Sequence, residues 1–92
     1  MRVLGRQILQ EFLQRHADAR RPASAWLAEA EAALWRGPAD IKARYPGASF
    51  LADNEVIFNI KGNKYRLKVM VAYASQTAII QQAGTHAEYD RW

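Results

Sequence analysis

Residues 56–69 contain two runs of alternating apolar and polar side chains, which are joined by the pair Gly62-Asn63. This alternation predicts two β-strands, and a Gly-Asn pair between such runs predicts a two-residue hairpin turn. The turn would fix the register, because it places each residue of one strand opposite a single residue of the other. On one face the predicted pairs are Val56 with Val69, Phe58 with Leu67, and Ile60 with Tyr65. We expect this apolar face to pack in the core.

The opposite face of the predicted hairpin is rich in cations. The predicted pairs on this face are Ile57 with Lys68, Asn59 with Arg66, and Lys61 with Lys64. Like charges directly across a ladder destabilise a sheet by roughly 0.2 to 1 kcal/mol, so stability alone does not explain the pattern. Four of the chain's 13 Lys and Arg residues lie between positions 61 and 68, and the formal net charge is +4. A flat cationic face suits a phosphate backbone, and the charge balance favours a polyanion as partner.

The hydrophobic period changes from about 3.6 residues to about 2 near Ala48, which predicts a helical half followed by a sheet half. Residues 1–4 predict a short strand that comes before the helices. The first helix is indicated by apolar residues at helical spacing, namely Ile8, Leu9, Phe12 and Leu13. We expect a second helix to begin at Pro22 or Ser24 and to end at Gly37-Pro38.

The remaining elements follow from turn residues and alternation. We expect a short helical turn and four strands, over residues 39–45, 49–52, 56–61, 64–73 and 77–83. The expected fold is a single α+β domain over residues 1–92, with N-terminal helices packed on one face of a twisted antiparallel sheet. The cationic hairpin face would then be a sheet surface that these helices leave open.

The sequence Thr85-His86-Ala87-Glu88 is a capping box, which predicts a short C-terminal helix. His86 lies in its first turn, and Tyr89 follows three residues later on the same face. The positive end of a helix favours the neutral form of histidine, which is the form that accepts a proton. His86 is therefore a candidate general base, and Asp90 either orients it or is solvated.

These residues can supply the chemistry of RNA cleavage without a metal. That reaction needs a group to take the proton of the 2′-hydroxyl, a group to protonate the leaving 5′-oxygen, and cations on the phosphate. Arg66 offers a rigid fork for phosphate oxygens, while His86 and Tyr89 can exchange protons or stack on a base. Asn59, Lys61, Asn63, Lys64 and Lys68 are the candidate RNA-binding residues around them.

Each of these features also has a plain structural explanation. A cationic strand face is more often a solvated surface than a nucleic-acid site. A histidine beside a capping threonine is usually structural or exposed, and Tyr89 could simply dock the last helix. His16 is expected at the surface.

Several classes of site are disfavoured by composition. The chain has no cysteine, which excludes disulfides and thiolate chemistry. It has only two histidines, neither close to a cluster of carboxylates, so we expect no metal site and no cofactor. No apolar run approaches the roughly 20 residues that span a bilayer, and there is no signal-peptide pattern. We therefore expect a cytoplasmic protein with no membrane partner.

Two motifs resemble the HigB family of toxins, which belong to the RelE-like group of bacterial toxin–antitoxin systems. The first is Phe58-Asn59-Ile60-Lys61-Gly62-Asn63-Lys64-Tyr65-Arg66-Leu67, and the second is Gly84-Thr85-His86-Ala87-Glu88-Tyr89-Asp90. The resemblance extends over nearly the full length of the chain. It implies a RelE-like α+β fold, with RNA held at the hairpin cluster and cleaved near His86 and Tyr89.

The resemblance also implies a function and partners. RelE-like toxins are mRNA interferases that commonly cut mRNA on the translating ribosome and so inhibit translation. A helix-turn-helix antitoxin of the HigA type would neutralise such a toxin in an oligomeric complex. The alternative is a module that uses the same face to bind RNA or the ribosome without cleaving it.

Overall fold

The structure is a computed structural model that describes residues 1–89 and Trp92. Its helices and strands form an α+β fold in which most of the sheet follows the helices. The elements are β1 (Arg2–Leu4), α1 (Arg6–Arg15), a 3-10 turn (Ala17–Ala19), α2 (Arg20–Ala32), α3 (Pro38–Arg44), β2 (Ser49–Phe50), β3 (Glu55–Ile60), β4 (Tyr65–Ala72), β5 (Thr77–Thr85) and α4 (His86–Tyr89). The predicted α+β class is confirmed.

The five strands form one mixed sheet in the order β1-β5-β4-β3-β2. Strands β2 to β5 pair antiparallel, whereas β1 pairs parallel with β5 at one edge. The prediction of a wholly antiparallel sheet is therefore wrong at the edge formed by β1. Short turns fix the direction of β3, β4 and β5, but β1 is separated from β5 by most of the chain, so no local turn sets its direction.

The predicted hairpin register between β3 and β4 is confirmed. Phe58 lies opposite Leu67 and Asn59 lies opposite Arg66, and the ladder ends at the pair of Ile60 with Tyr65. Lys61 has a positive φ of 54° and belongs to the turn, which is closed by a 3.2 Å hydrogen bond from the Lys64 N–H to its carbonyl. The predicted ladder pair of Lys61 with Lys64 is therefore not formed.

The second helix begins earlier than predicted. Residues 17–19 form a 3-10 turn, and α2 starts at Arg20 rather than at Pro22 or Ser24. Pro22 fits because it lies in the first turn, where the backbone N–H that proline lacks would have no partner within the helix.

The second helix also ends earlier than predicted, at Ala32. Gly37-Pro38 does not end α2 but begins α3, in which Pro38 occupies the first helical position. Proline favours this position because its fixed φ suits a helix and its missing N–H costs nothing there. The dipeptide marks a boundary in the sequence without showing to which helix the boundary belongs.

The core lies between the helices and the apolar hairpin face. Phe58 is fully buried, and three aromatic rings pack around it with centroid distances of 5.3, 5.9 and 5.2 Å, from Trp26, Trp35 and Tyr45. Phe12 of α1 meets Tyr65 edge-on at 5.2 Å. The side chains of α1 and α2 therefore contact the face that was predicted to be the core.

Gly5 forms the junction between β1 and α1. Its φ is +80°, in the left-handed region that L-residues with a side chain rarely adopt. A Cβ at this position would also overlap the carbonyl oxygen of Ile80 on β5. Glycine is thus required both by the turn and by the close approach of β5.

Within residues 1–89 and Trp92, no helix is long and apolar enough to cross a membrane.

Candidate functional site

The face of the sheet opposite the core carries the three residues that were predicted to be catalytic. Arg66 lies on β4 and His86 begins α4, directly after β5. One terminal nitrogen of Arg66, Nη2, lies 2.6 Å from His86 Nε2, and the other donates a 3.1 Å hydrogen bond to the Asn63 carbonyl. The guanidinium carbon lies 5.6 Å from the ring centroid of Tyr89. The structure therefore brings Arg66, His86 and Tyr89 together.

The contact between Arg66 and His86 joins a guanidinium nitrogen to an imidazole nitrogen. A guanidinium has five N–H donors and no acceptor, so the contact is a hydrogen bond in the tautomer whose Nε2 carries no proton. His86 is exposed to solvent, and its Nε2 lone pair is directed at a cation. A neutral imidazole whose Nε2 is unprotonated has the form required of a general base.

The predicted capping box at the start of α4 is confirmed. The Thr85 N–H donates a 2.9 Å hydrogen bond to Glu88 Oε1, and the Glu88 N–H donates a 3.3 Å hydrogen bond to the Thr85 hydroxyl. The hydrogen bond from the Thr85 backbone lowers the pKa of Glu88, and the charges of His16 and Arg15 act in the same direction. This pair of hydrogen bonds sets the position of His86 relative to β5.

Gly84 leaves room for this arrangement. It lies on β5 directly opposite Arg66, so a side chain there would project from the same face. A Cβ at this position would lie 3.1 Å from both Glu88 Cβ and Trp92 Cζ2. Because glycine has no side chain, α4 and Trp92 can lie against the sheet beside Arg66.

A bulge in β5 sets which residues share this face. Val69 pairs with Ile80 and Lys68 pairs with Gln82, so β5 contains one extra residue between the two pairs. Beyond the bulge, the inward and outward positions of β5 are exchanged. In a regular strand, Ile80 and Gly84 would lie on the same face. Because of the bulge, Ile80 lies in the core, whereas Gly84 lies opposite Arg66 on the other face.

The two lysines of the hairpin turn are held by Asp18, a residue that the sequence analysis did not select. Lys64 Nζ lies 2.7 Å and Lys61 Nζ lies 3.0 Å from Asp18 Oδ2, and the Tyr65 hydroxyl donates a 2.6 Å hydrogen bond to Oδ1. The hydrogen bonds from Lys64, Tyr65 and Lys61 hold the pKa of Asp18 far below its usual range. Asp18 lies 43 residues before Lys61, so no local sequence pattern indicates the pairing.

His16 lies close to this cluster. It was expected at the surface but is half-buried, with its ring 4.7 Å from that of Phe12 and 5.0 Å from that of Tyr65. The end of α1 therefore brings a second histidine to the hairpin.

The other predicted RNA-binding residues also have partners within the protein. Lys68 Nζ lies 3.5 Å from Glu55 Oε2, and the Asn59 amide donates a 3.1 Å hydrogen bond to the Gly47 carbonyl. Asn63 is exposed, and its carbonyl accepts from Arg66. Three of the four hairpin cations are thus paired with carboxylates, whereas Arg66 faces His86.

The cationic face is also less open than predicted. Ile57 was predicted on that face, and it is 2% exposed. A cavity above it is lined by Leu51, Ile57, Lys68, Tyr89 and Trp92, so α4 and Trp92 cover part of the sheet surface that the N-terminal helices leave free.

The proposed orientation of His86 by Asp90 lies outside the described residues. Among the residues that are described, no three His, Asp or Glu side chains converge as metal ligands would.

Comparison with known proteins agrees with the sequence motifs. Residues 19–92 match the sequence profile of the family described as HigB toxin, the RelE-like toxic component of a toxin–antitoxin system. The chain belongs to the HigB toxin family. The matched region contains both the hairpin and the segment with His86 and Tyr89, and the α+β fold with its five-stranded sheet is compatible with a RelE-like toxin.

Curated relatives of this HigB family chain have been named for their activity. The mRNA interferase toxin HigB of Escherichia coli K12 is 34% identical over 58 residues, which cover 61% of this chain and 56% of the relative. The proteins named mRNA interferase HigB from Escherichia coli O157:H7 and Shigella flexneri match with the same identity and coverage. The chain thus spans about half the length of the curated relatives that it matches.

Proposed function

We propose that this chain is the toxin of a type II toxin–antitoxin system and that it cleaves mRNA without a metal ion. The observation that carries the proposal is the 2.6 Å contact between Arg66 Nη2 and His86 Nε2, with Tyr89 beside both. Membership of the HigB family and the names of the curated relatives support it.

In the proposed reaction, the scissile phosphate replaces His86 as the partner of Arg66. A guanidinium fork binds two phosphate oxygens at once and stabilises the charge that develops on them. Once Arg66 has turned to the phosphate, the lone pair on His86 Nε2 is available. Binding of the substrate phosphate to Arg66 therefore frees His86 to act as the general base.

The proton transfers follow from this geometry. His86 Nε2 takes the proton of the 2′-hydroxyl, and the 2′-oxygen attacks the phosphorus. The bond from phosphorus to the 5′-oxygen breaks, and the Tyr89 hydroxyl protonates that oxygen. The products are a 2′,3′-cyclic phosphate and a 5′-hydroxyl, and the proton on His86 returns through solvent to Tyr89. Acid–base groups of this kind contribute typically about 10²- to 10⁴-fold each.

The lysines bind the flanking RNA in competition with the carboxylates that hold them. Asp18 and the phosphates compete for Lys61 and Lys64, so a charged Asp18 limits how much phosphate charge these two lysines neutralise. The two pairs with Asp18 are solvent-exposed and contribute little to stability, whereas the pair of Lys68 with Glu55 is largely buried and costs more to open. Asn59 and Asn63 position the backbone of the hairpin that carries these cations.

The substrate of the proposed enzyme is mRNA on the translating ribosome, and cleavage there inhibits translation in the cytoplasm. A helix-turn-helix antitoxin of the HigA type is the proposed partner that neutralises the toxin in an oligomeric complex. Both proposals rest on family membership, which implies an antitoxin and an RNA substrate.

Expression of the chain without an antitoxin, followed by primer extension on a translated message, tests the proposal. Wild-type protein should arrest growth and produce discrete new 5′ ends. Arg66→Ala and His86→Ala should lose both effects while keeping the wild-type circular dichroism spectrum. Arg36→Ala is the matched control, because Arg36 is exposed and pairs with Asp40 at 3.3 Å.

Two results would contradict the proposal in different ways. Full toxicity of both site variants would show that the site is misplaced. RNA binding that weakens with salt, without any new 5′ ends, would show that the chain is a binding module that does not cleave.

A further inference from the structure

A cavity of about 320 Å³ lies on the same face of the sheet as Arg66 and His86. Its walls are apolar and aromatic with a single cation, and they consist of Leu51, Ile57, Lys68, Tyr89 and Trp92. The volume lies at the lower end of the roughly 300–1,000 Å³ found in small-molecule sites. The cavity is therefore suited to one small group rather than to an extended ligand.

The two aromatic walls are held in place by their surroundings. The rings of Tyr89 and Trp92 lie 5.6 Å apart at an interplanar angle of 73°. The Trp92 N–H donates a 3.0 Å hydrogen bond to the Tyr89 carbonyl, and the Trp92 ring lies over Gly84, where a Cβ would be 3.1 Å from Cζ2. Trp92 is half-buried, so part of the ring remains available to a ligand.

Tyr89 belongs to both the cavity and the cluster around Arg66. Its ring lines the cavity, and its centroid lies 5.6 Å from the Arg66 guanidinium carbon. A phosphate at Arg66 and a flat group in the cavity would therefore be neighbours, as the phosphate and base of RNA are. Lys68 Nζ is a donor for the carbonyl oxygens and ring nitrogens at a base edge.

We propose that this cavity binds a nucleobase next to the scissile phosphate, with Trp92 as the main stacking surface and Ile57 as the apolar floor. The inference rests on the proposed function, because it takes RNA as the substrate. Stacking on an aromatic side chain suits a nucleobase because every base has a π-face, and the flanking cations suit the attached phosphate.

Binding of a cleavage-resistant RNA tests the cavity separately from catalysis. The probe is a fluorescently labelled hexamer of 2′-O-methyl adenylate, and the comparison probe is an abasic hexamer with the same number of phosphates. Both are titrated by fluorescence anisotropy against wild type, Trp92→Ala, Trp92→Phe and Leu34→Ala. Leu34 is 79% exposed and lies outside the cavity, so its truncation is the matched control.

Trp92→Ala should weaken binding of the adenylate hexamer by about tenfold, as expected for the loss of one stacked base. The same variant should bind the abasic hexamer as wild type does. Trp92→Phe should retain most of the affinity, and Leu34→Ala should retain all of it. An equal effect of Trp92→Ala on both hexamers, or no effect on either, would overturn the proposal and would leave the cavity to another occupant such as an antitoxin side chain.

Cleavage of unmodified RNA, measured separately, distinguishes the two proposals. Selective loss of adenylate binding in a protein that cuts no RNA would support the base site and refute the nuclease. If the protein cleaves RNA, but Trp92→Ala does not selectively weaken binding of the adenylate hexamer, the nuclease is supported and the base site is refuted.

Discussion

Replacement of Asp18 by asparagine should increase the salt dependence of RNA binding. Asp18 holds Lys61 and Lys64 through contacts of 3.0 and 2.7 Å, so neither lysine is free in the unbound protein. An amide in its place keeps the shape and the acceptor oxygen but removes the charge. Both lysines then become available to phosphate without first breaking an ion pair.

The size of this effect follows from counterion release. For single-stranded nucleic acid, the logarithm of the binding constant falls with the logarithm of the salt concentration with a slope of about −0.7 per phosphate contact. Release of two lysines should therefore steepen the slope by up to about 1.4, or by up to about 0.7 if one lysine engages RNA. The assay is anisotropy with 2′-O-methyl hexaadenylate between about 50 and 200 mM salt.

A matched variant separates local release from the change in net charge. Asp53→Asn removes the same charge at an exposed turn residue with a φ of 59°, which asparagine tolerates. Its slope should equal that of wild type, and Lys64→Ala added to Asp18→Asn should reverse about 0.7 of the gain. Equal slopes for Asp18→Asn and Asp53→Asn would refute the view that Asp18 occupies the hairpin cations.

Three further predictions concern stability, measured by urea denaturation. Phe58→Ala should lower the free energy of unfolding by about 3–5 kcal/mol, because it empties the centre of the aromatic cluster; a loss below about 1 kcal/mol would contradict the described core. Gly5→Ala should lower the free energy of unfolding by at least about 1–2 kcal/mol, because it combines a positive φ with a clash against the Ile80 carbonyl. Gly37→Ala should lower it far less, because a Cβ at Gly37 would meet no atom within 4 Å. The pKa of Asp18 is depressed on folding, so its stabilisation should be complete well above the ordinary value of 3.8 and should be lost as the pH falls below it. The difference in unfolding free energy between wild type and Asp18→Asn should therefore shrink on acidification from about pH 6 to pH 3, and a constant difference would contradict the ion-pair assignment.

The hairpin could be predicted from the sequence because its determinants are local. Alternation over residues 56–69 and a turn near Gly62 fix the pairing of Asn59 with Arg66, whatever the rest of the chain does. The capping box of Thr85 and Glu88 is local for the same reason, since both hydrogen bonds join residues three apart.

The features that could not be predicted join distant parts of the chain. The parallel pairing of β1 with β5 and the capture of two lysines by Asp18 each connect residues that no short pattern links. The bulge between Ile80 and Gln82 is local, but it reverses the alternation on which the prediction of faces depends.

These distant contacts change the interpretation of the site. The sequence presents four equivalent cations, whereas the structure pairs three of them with carboxylates and directs Arg66 at His86. Charge that looks available in a sequence can already be neutralised by an acid far along the chain. The proposed chemistry therefore depends on Arg66 more than on the number of lysines.

The role proposed for His86 requires the 2′-hydroxyl of the substrate as nucleophile. The decisive measurement is primer extension on a translated message that carries one 2′-deoxyribose directly before a mapped cleavage site. The proposed mechanism predicts that the new 5′ end at that site disappears, while other sites on the same message are still cut. Undiminished cleavage at the 2′-deoxy position would show that another nucleophile attacks the phosphate and would contradict the assignment of His86 as the base.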